Sequence, residues 1–121
     1  MTEQQWLKSL FISIDNKDTN AFIGHLSEDC VFRFGNMPTV SGSEAISQVV
    51  GGFFDSIKSV SHTIIESWST AEQITCHGMV TYTRIDGGLL TVPFANIMKM
   101  KIGSSLADEY LIFADTSALY S

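Results

Sequence analysis

A chain of 121 residues, 45% of them hydrophobic, has the size of one domain and can bury a core without disulfide or metal staples. Its net charge of −6, with seven Lys and Arg scattered along the chain, argues against a nucleic-acid or anionic-membrane binder, which needs clustered basic residues. Charged residues make up only 17%, below the usual ~25%, which points to an outer surface covered by a second copy of the chain.

Thr2 and Gln5 have capping-box spacing, and Trp6, Leu7, Leu10, Phe11 and Ile14 recur at helical period, so a first helix is expected near residues 2–15. It breaks at Asp15-Asn16. A short second helix near 18–26 carries Ala21, Phe22 and Leu26. Cys30-Val-Phe-Arg-Phe34 reads as a short strand, and Gly35-Asn-Met-Pro38 as a loop. Ser41 and Glu44 offer a second capping box. Ile46, Val49, Val50, Phe53, Phe54 and Ile57 then follow one helix face, predicting a third helix near 43–57.

Beyond residue 58 the composition turns to Thr, Val, Ile, Phe and Tyr. Strands are expected over about 59–69, 73–85, 89–101 and 106–117, joined by turns at Thr70-Ala-Glu72, Asp86-Gly-Gly88 and Lys101-Ile-Gly-Ser104 that suit antiparallel hairpins. Strands of about twelve residues span roughly 40 Å and must twist strongly. The expected class is therefore α+β, with three N-terminal helices on the concave face of a curved antiparallel sheet, in a single domain over 1–121.

The start lacks the basic region of a secretory signal, and no apolar run reaches the ~18 residues of a membrane span. Cys30 and Cys76 have no metal or redox spacing and read as buried, reduced thiols of a cytoplasmic protein.

Candidate chemistry sits on the strands. Alternation puts Glu109, Leu111, Phe113 and Asp115 on one face, and Asp108, Tyr110, Ile112 and Ala114 on the other. If Asp115 is buried and unpaired, desolvation raises its pKa and makes it a general acid or base. Alternatively it caps the strand end, or pairs with a lysine or a backbone amide. His62, grouped with Ile64, Glu66 and Trp68, is either a proton shuttle or a structural residue. Asn96 and Tyr82 are polar residues in apolar strands, suited to orienting a ligand's carbonyl or hydroxyl. The other reading of Tyr82 is a cross-strand aromatic pair. Phe34, Phe54, Phe94 and Phe113 are the apolar candidates for the same ligand site. His25, His62 and His77 have no ligand spacing, and no nucleotide loop or nucleophile elbow is present, so no metal and no cofactor are expected.

Several stretches carry a family likeness: Val31-Phe-Arg-Phe-Gly-Asn36 through Val40-Ser-Gly-Ser-Glu-Ala-Ile46, Ser61-His62, Gly78-Met-Val-Thr-Tyr-Thr-Arg-Ile-Asp-Gly87, and Glu109-Tyr-Leu-Ile-Phe-Ala-Asp115-Thr-Ser-Ala-Leu119. With the helices-then-meander order they resemble the nuclear transport factor 2-like, ketosteroid isomerase-like superfamily in its SnoaL-like polyketide cyclase branch. The resemblance covers nearly the whole chain and implies a cone-shaped α+β barrel. It also implies Asp115 as the acid/base residue of a cofactor-independent lyase, isomerase or cyclase acting on a small hydrophobic carbonyl compound. Leu111 stands where the SnoaL-like pattern has an aromatic residue. The Asp-Arg-Asp set of the limonene epoxide hydrolase relatives has no counterpart, because Arg33 and Arg84 lie in no matching motif. The alternative is a non-catalytic small-molecule-binding or dimerisation module. The expected partners are a small hydrophobic molecule and a second copy meeting through the sheet, with no nucleic acid and no membrane.

Overall fold

The computed structural model describes residues 2–120. Helix α1 (Glu3–Asp15) begins at the expected capping box: the Gln5 amide donates to the Thr2 hydroxyl at 3.1 Å, and the Thr2 amide donates to Gln5 Oε1 at 2.9 Å. It ends in a Schellman turn, with the Lys17 amide on the Ile14 carbonyl at 2.8 Å and the Asp18 amide on the Ser13 carbonyl at 2.9 Å. Lys17 holds the left-handed position at φ 53°, where glycine is usual. Its ammonium explains the choice, because it donates to the carbonyls of Phe54 at 3.3 Å and Ile57 at 3.0 Å, at the end of the third helix.

Helix α2 (Thr19–Ile23) is shorter than the expected 18–26, since the chain turns at Gly24 and enters strand β1 (Leu26–Phe34) four residues earlier than the apolar run suggests. Strand β2 (Val40–Ser41) follows, then α3 (Ser43–Asp55). The second capping box does not form. Ser41 is paired with Val31 in the sheet, and Gly42 at φ 91° takes the N-cap position without a side-chain cap. The remaining strands are β3 (Ile57–Ser69), β4 (Gln73–Arg84), β5 (Leu89–Met100) and β6 (Ala107–Ala114).

All three helices precede the meander, with β1 and β2 between α2 and α3, much as the order of the predicted elements has it. One expectation, a purely antiparallel sheet, needs correction. The sheet is six-stranded, in the order β2-β1-β6-β5-β4-β3, and it is mixed. β3 to β6 are antiparallel, whereas β1 pairs with β6 in parallel, Phe32 beside Tyr110. Parallel neighbours need a long crossover, which the helix and meander between β1 and β6 supply.

A bulge on β3 bends the sheet. Register steps from Ile64 opposite Gly78 to Glu66 opposite His77, leaving Ile65 extra. A Cβ on Gly78 would collide with the Thr63 carbonyl oxygen, so the bend requires glycine there. Alternation flips beyond the bulge. Glu66 and Trp68 therefore leave His62's face and lie with His77, whose ring stacks on Trp68 at 5.6 Å.

The inner sheet face (Val60, Ile74, Cys76, Val80, Phe94, Met98, Tyr110) packs against Trp6, Leu10, Phe11, Phe22, Ile46 and Phe54 of the helices. The C-terminal segment closes one end. Leu119 is buried, and Arg84 donates to the carbonyls of Leu119 at 3.0 Å and Ala118 at 2.6 Å. No described helix is long and apolar enough to cross a membrane.

Candidate functional site

Curvature leaves a cavity between the inner sheet face and the helices. Its wall is aromatic: Phe22, Phe32, Phe34, Phe53, Phe54 and Phe94, with Tyr82 and Tyr110. His62 and Asn96 are its other polar members. The free volume is about 40 Å³, room for roughly three waters on the ~10–15 Å³ each occupies by this measure.

His62 comes from β3, just before the bulge. Its Nδ1 lies 2.6 Å from Asp15 Oδ1, and its backbone amide donates to Asp15 Oδ2 at 3.2 Å. One carboxylate thus holds both the main chain and the ring. The ring is further fixed between Phe11, centroid at 4.8 Å, and Phe94, at 5.1 Å. With Nδ1–H donating to Asp15, Nε2 is the nitrogen left for a ligand. The histidine side chain is 11% exposed and the aspartate 30%. His62 lines the cavity, whereas Asp15 stands outside it, in an open groove with Gln4, Lys8 and Ile12 that His62 also borders.

Sequence reasoning missed Asp15, yet a signal exists. A carboxylate as the last residue of a helix opposes the helix dipole, and Asp15 shares a face with Phe11, four residues earlier, which touches the same histidine.

Asn96, on β5, is 2% exposed. Its Nδ2 donates to the Tyr110 hydroxyl at 3.0 Å, and its Oδ1 has no partner among the described residues. A buried polar atom without a partner is uncommon and calls for an explanation. Burial pushes the Tyr110 and Tyr82 hydroxyls well above the ordinary phenol value, so both act as neutral hydrogen-bonding groups. Tyr82 meets Phe53 edge-on at 5.7 Å, packing toward α3. Burial likewise pushes the Cys30 and Cys76 thiols up to about 12, which keeps them protonated and poorly nucleophilic. No group of three His, Cys, Asp or Glu able to hold a metal occurs among the described residues.

The cavity thus brings together His62, Asn96, Tyr82, Phe34, Phe54 and Phe94, and leaves two candidates outside. Phe113 is 43% exposed on the outer sheet face, its ring 5.2 Å from the Arg33 guanidinium. It cannot join the wall, because Tyr110 and Ile112 take the inward positions of β6. Asp115 is exposed, beyond the end of β6, in an open depression with Asn36, Met37 and Thr116. Its Oδ1 accepts from the Ser117 amide at 3.0 Å. Hydrogen bonds from the Ser117 side chain and amide hold its carboxyl below the usual value. Asp115 is thus exposed and paired with a backbone amide, one of the alternatives read from the sequence, rather than buried and unpaired.

The family profile described as a SnoaL-like domain matches residues 7–104. A Catenulispora acidiphila protein with a ketosteroid isomerase-like fold, solved in complex with trimethylamine, superposes with a TM-score of 0.86 at 15% identity, over 98% of this chain and 91% of that one. A Shewanella denitrificans protein proposed to be a SnoaL-like polyketide cyclase gives 0.82 at 13%, covering 98% and 93%. An NTF2-like protein of unknown function from Burkholderia pseudomallei gives 0.80 at 16%, covering 98% and 95%. At these identities the likeness to solved structures establishes the fold. No match is found among functionally curated proteins.

Proposed function

The chain belongs to the SnoaL-like domain family, and on that premise we propose that its cavity is a cofactor-independent acid/base site for a small, mostly apolar molecule, with His62 transferring the proton and Asp15 positioning it. The observation that carries this reading is the 2.6 Å Asp15–His62 contact at the wall of an aromatic cavity. The carboxylate selects the ring tautomer, orients the imidazole and stabilises the imidazolium formed when Nε2 accepts a proton, as in other His–Asp pairs. The small free volume favours a compound of few non-hydrogen atoms over a polycyclic one.

Of the two ligand groups expected for Asn96, a carbonyl or a hydroxyl, the second suits it better. Its unpartnered atom is an acceptor, so it suits a hydroxyl, enol or N–H of the ligand rather than a carbonyl oxygen. The neutral Tyr82 and Tyr110 hydroxyls are the groups suited to an oxygen. The test is solvent-deuterium exchange at carbon next to the carbonyl of small hydroxyketones, followed by NMR. Wild-type protein should accelerate it and His62→Ala should not; undiminished exchange in that variant would end the reading.

The outer sheet face supports a second proposal, a homodimer. Ile97, Leu111 and Phe113 lie there with Arg33, whose Nε is buried without a partner among the described residues. Light scattering should give a dimer at micromolar concentration and a monomer for Phe113→Asp. A wild-type monomer would overturn it.

A further inference from the structure

The polar and electrostatic character of the cavity narrows its ligand beyond size. Among the described residues no lysine or arginine lines it. Its wall includes aromatic rings, Asn96 with its buried, unpartnered amide oxygen, and the His62 imidazole, whose Nδ1 faces Asp15. The Asp15 carboxylate stands directly behind that imidazole, and the chain as a whole carries −6.

Each ligand class meets these features differently. A carboxylate or phosphate would set its charge against Asn96 Oδ1, the ring faces and Asp15, with no cation on the wall to pair with. A purely apolar molecule would leave Oδ1 unsatisfied. A neutral alcohol satisfies Oδ1 but gains nothing from the ring quadrupoles. A protonated amine satisfies Oδ1 through N–H, places its alkyl carbons on the rings and draws on cation–π attraction where water is excluded. The protein's negative field also raises its local concentration.

We propose that the cavity selects a small alkylammonium group, its N–H on Asn96 Oδ1 and its carbons among Phe34, Phe53 and Phe94. The inference rests on the reading of this cavity as a ligand site and names what that site prefers. The free volume limits the group bound without rearrangement to about the bulk of a tert-butyl unit, since roughly three waters displace ~90 Å³ of liquid.

The test is an NMR titration of ¹⁵N-labelled wild-type protein with four probes of similar bulk: tert-butylammonium chloride, tert-butanol, sodium pivalate and tetramethylammonium chloride. The expected order places tert-butylammonium first, tighter than tert-butanol by on the order of tenfold. Tetramethylammonium, which has the charge without the donor, should bind more weakly than tert-butylammonium, and pivalate weakest. Shift changes should centre on Asn96, His62 and Phe94. Asn96→Leu should bring tert-butylammonium down toward tetramethylammonium and leave the latter unchanged. If that variant does not fold, the wild-type ranking decides alone. Tert-butanol binding equally or better would overturn the cation preference while leaving the ligand site intact. No perturbation of these residues by any probe would overturn both.

Discussion

Two aspartates stand at opposite ends of the question of where this domain does chemistry. Asp115 lies in the closing run expected from the sequence to carry the acid/base residue, beyond the residues 7–104 that the family profile matches; it is solvent-exposed and caps a turn through the Ser117 amide. Asp15 lies in no motif, yet its carboxylate holds a histidine at the wall of the aromatic cavity. The residue type is the same; the difference is what surrounds it. A carboxylate hydrogen-bonded in water has its pKa lowered and resists protonation, whereas one that orients an imidazole lends its charge to a group that can take up a proton.

The sharpest way to break this comparison is to remove each side in turn. His62→Ala should reduce exchange by roughly 10²–10⁴-fold, the usual weight of a general base. Asp15→Asn should reduce it substantially while leaving ligand binding nearly intact, because the imidazole loses its orienting charge rather than its place. Asp115→Asn should retain activity within about twofold, since its carboxylate lies outside the cavity wall. Loss of exchange in Asp115→Asn with retention in Asp15→Asn would invert the assignment.

A second variant tests whether the bulge is what presents His62. Gly78→Ala forces a methyl group into the Thr63 carbonyl oxygen, one residue from His62. Backbone cannot yield as a side chain does, so denaturant unfolding should show a loss of about 3 kcal/mol or more, the upper end of overpacking. The Asp15–His62 contact should be disturbed with it, visible in the imidazole NMR signals. A stable Gly78→Ala protein with unchanged histidine signals would mean that the bulge does not position the pair.

Much of this fold is legible in the residues, and the parts that are not share a cause. Periodicity finds α1 and α3, because Leu10, Phe11 and Ile14, or Ile46, Val50 and Phe54, bury one face. Asp86-Gly-Gly88 places a hairpin for a local reason as well. The parallel pairing of Phe32 with Tyr110 joins residues 78 positions apart and leaves no local pattern. The bulge at Ile65 is visible only against Gly78, and it carries Glu66 and Trp68 to the other face. Asn96, Tyr82 and Phe94, singled out by residue type, line the cavity from β4 and β5, whose pairing runs without a break in register. Asp15 requires knowing that the end of α1 meets β3, which is a tertiary fact.

A smaller effect probes how α1 delivers that carboxylate. Lys17 ties the end of α1 to the carbonyls of Phe54 and Ile57, two residues after Asp15. Lys17→Gly relieves the left-handed backbone but deletes both hydrogen bonds, whereas Lys17→Ala keeps the strain and deletes them too. Lys17→Ala should therefore be less stable than Lys17→Gly by about 1 kcal/mol. Equal stability of the two would show that φ 53° costs nothing here.

The smallest effect sets the Asp115 carboxyl against the buried thiols by pH. The folded carboxyl of Asp115 is held below its ordinary value of 3.8, so its turn contributes stability that is present above that pH and fades as pH falls through the lowered value. The buried thiols work the other way. Cys30 and Cys76, raised from 9.0 to about 12, contribute stability that is intact below pH 9 and fades as pH rises toward 12, because only the unfolded chain releases those protons readily. Melting curves should thus stay flat with respect to both groups between pH 5 and 8. Asp115→Asn should flatten only the acid limb, and Cys30→Ala with Cys76→Ala only the alkaline one. An Asp115→Asn effect that grew between pH 5 and 8 would place a neutral-range titration at that carboxylate, and with it the base that the comparison assigns to His62.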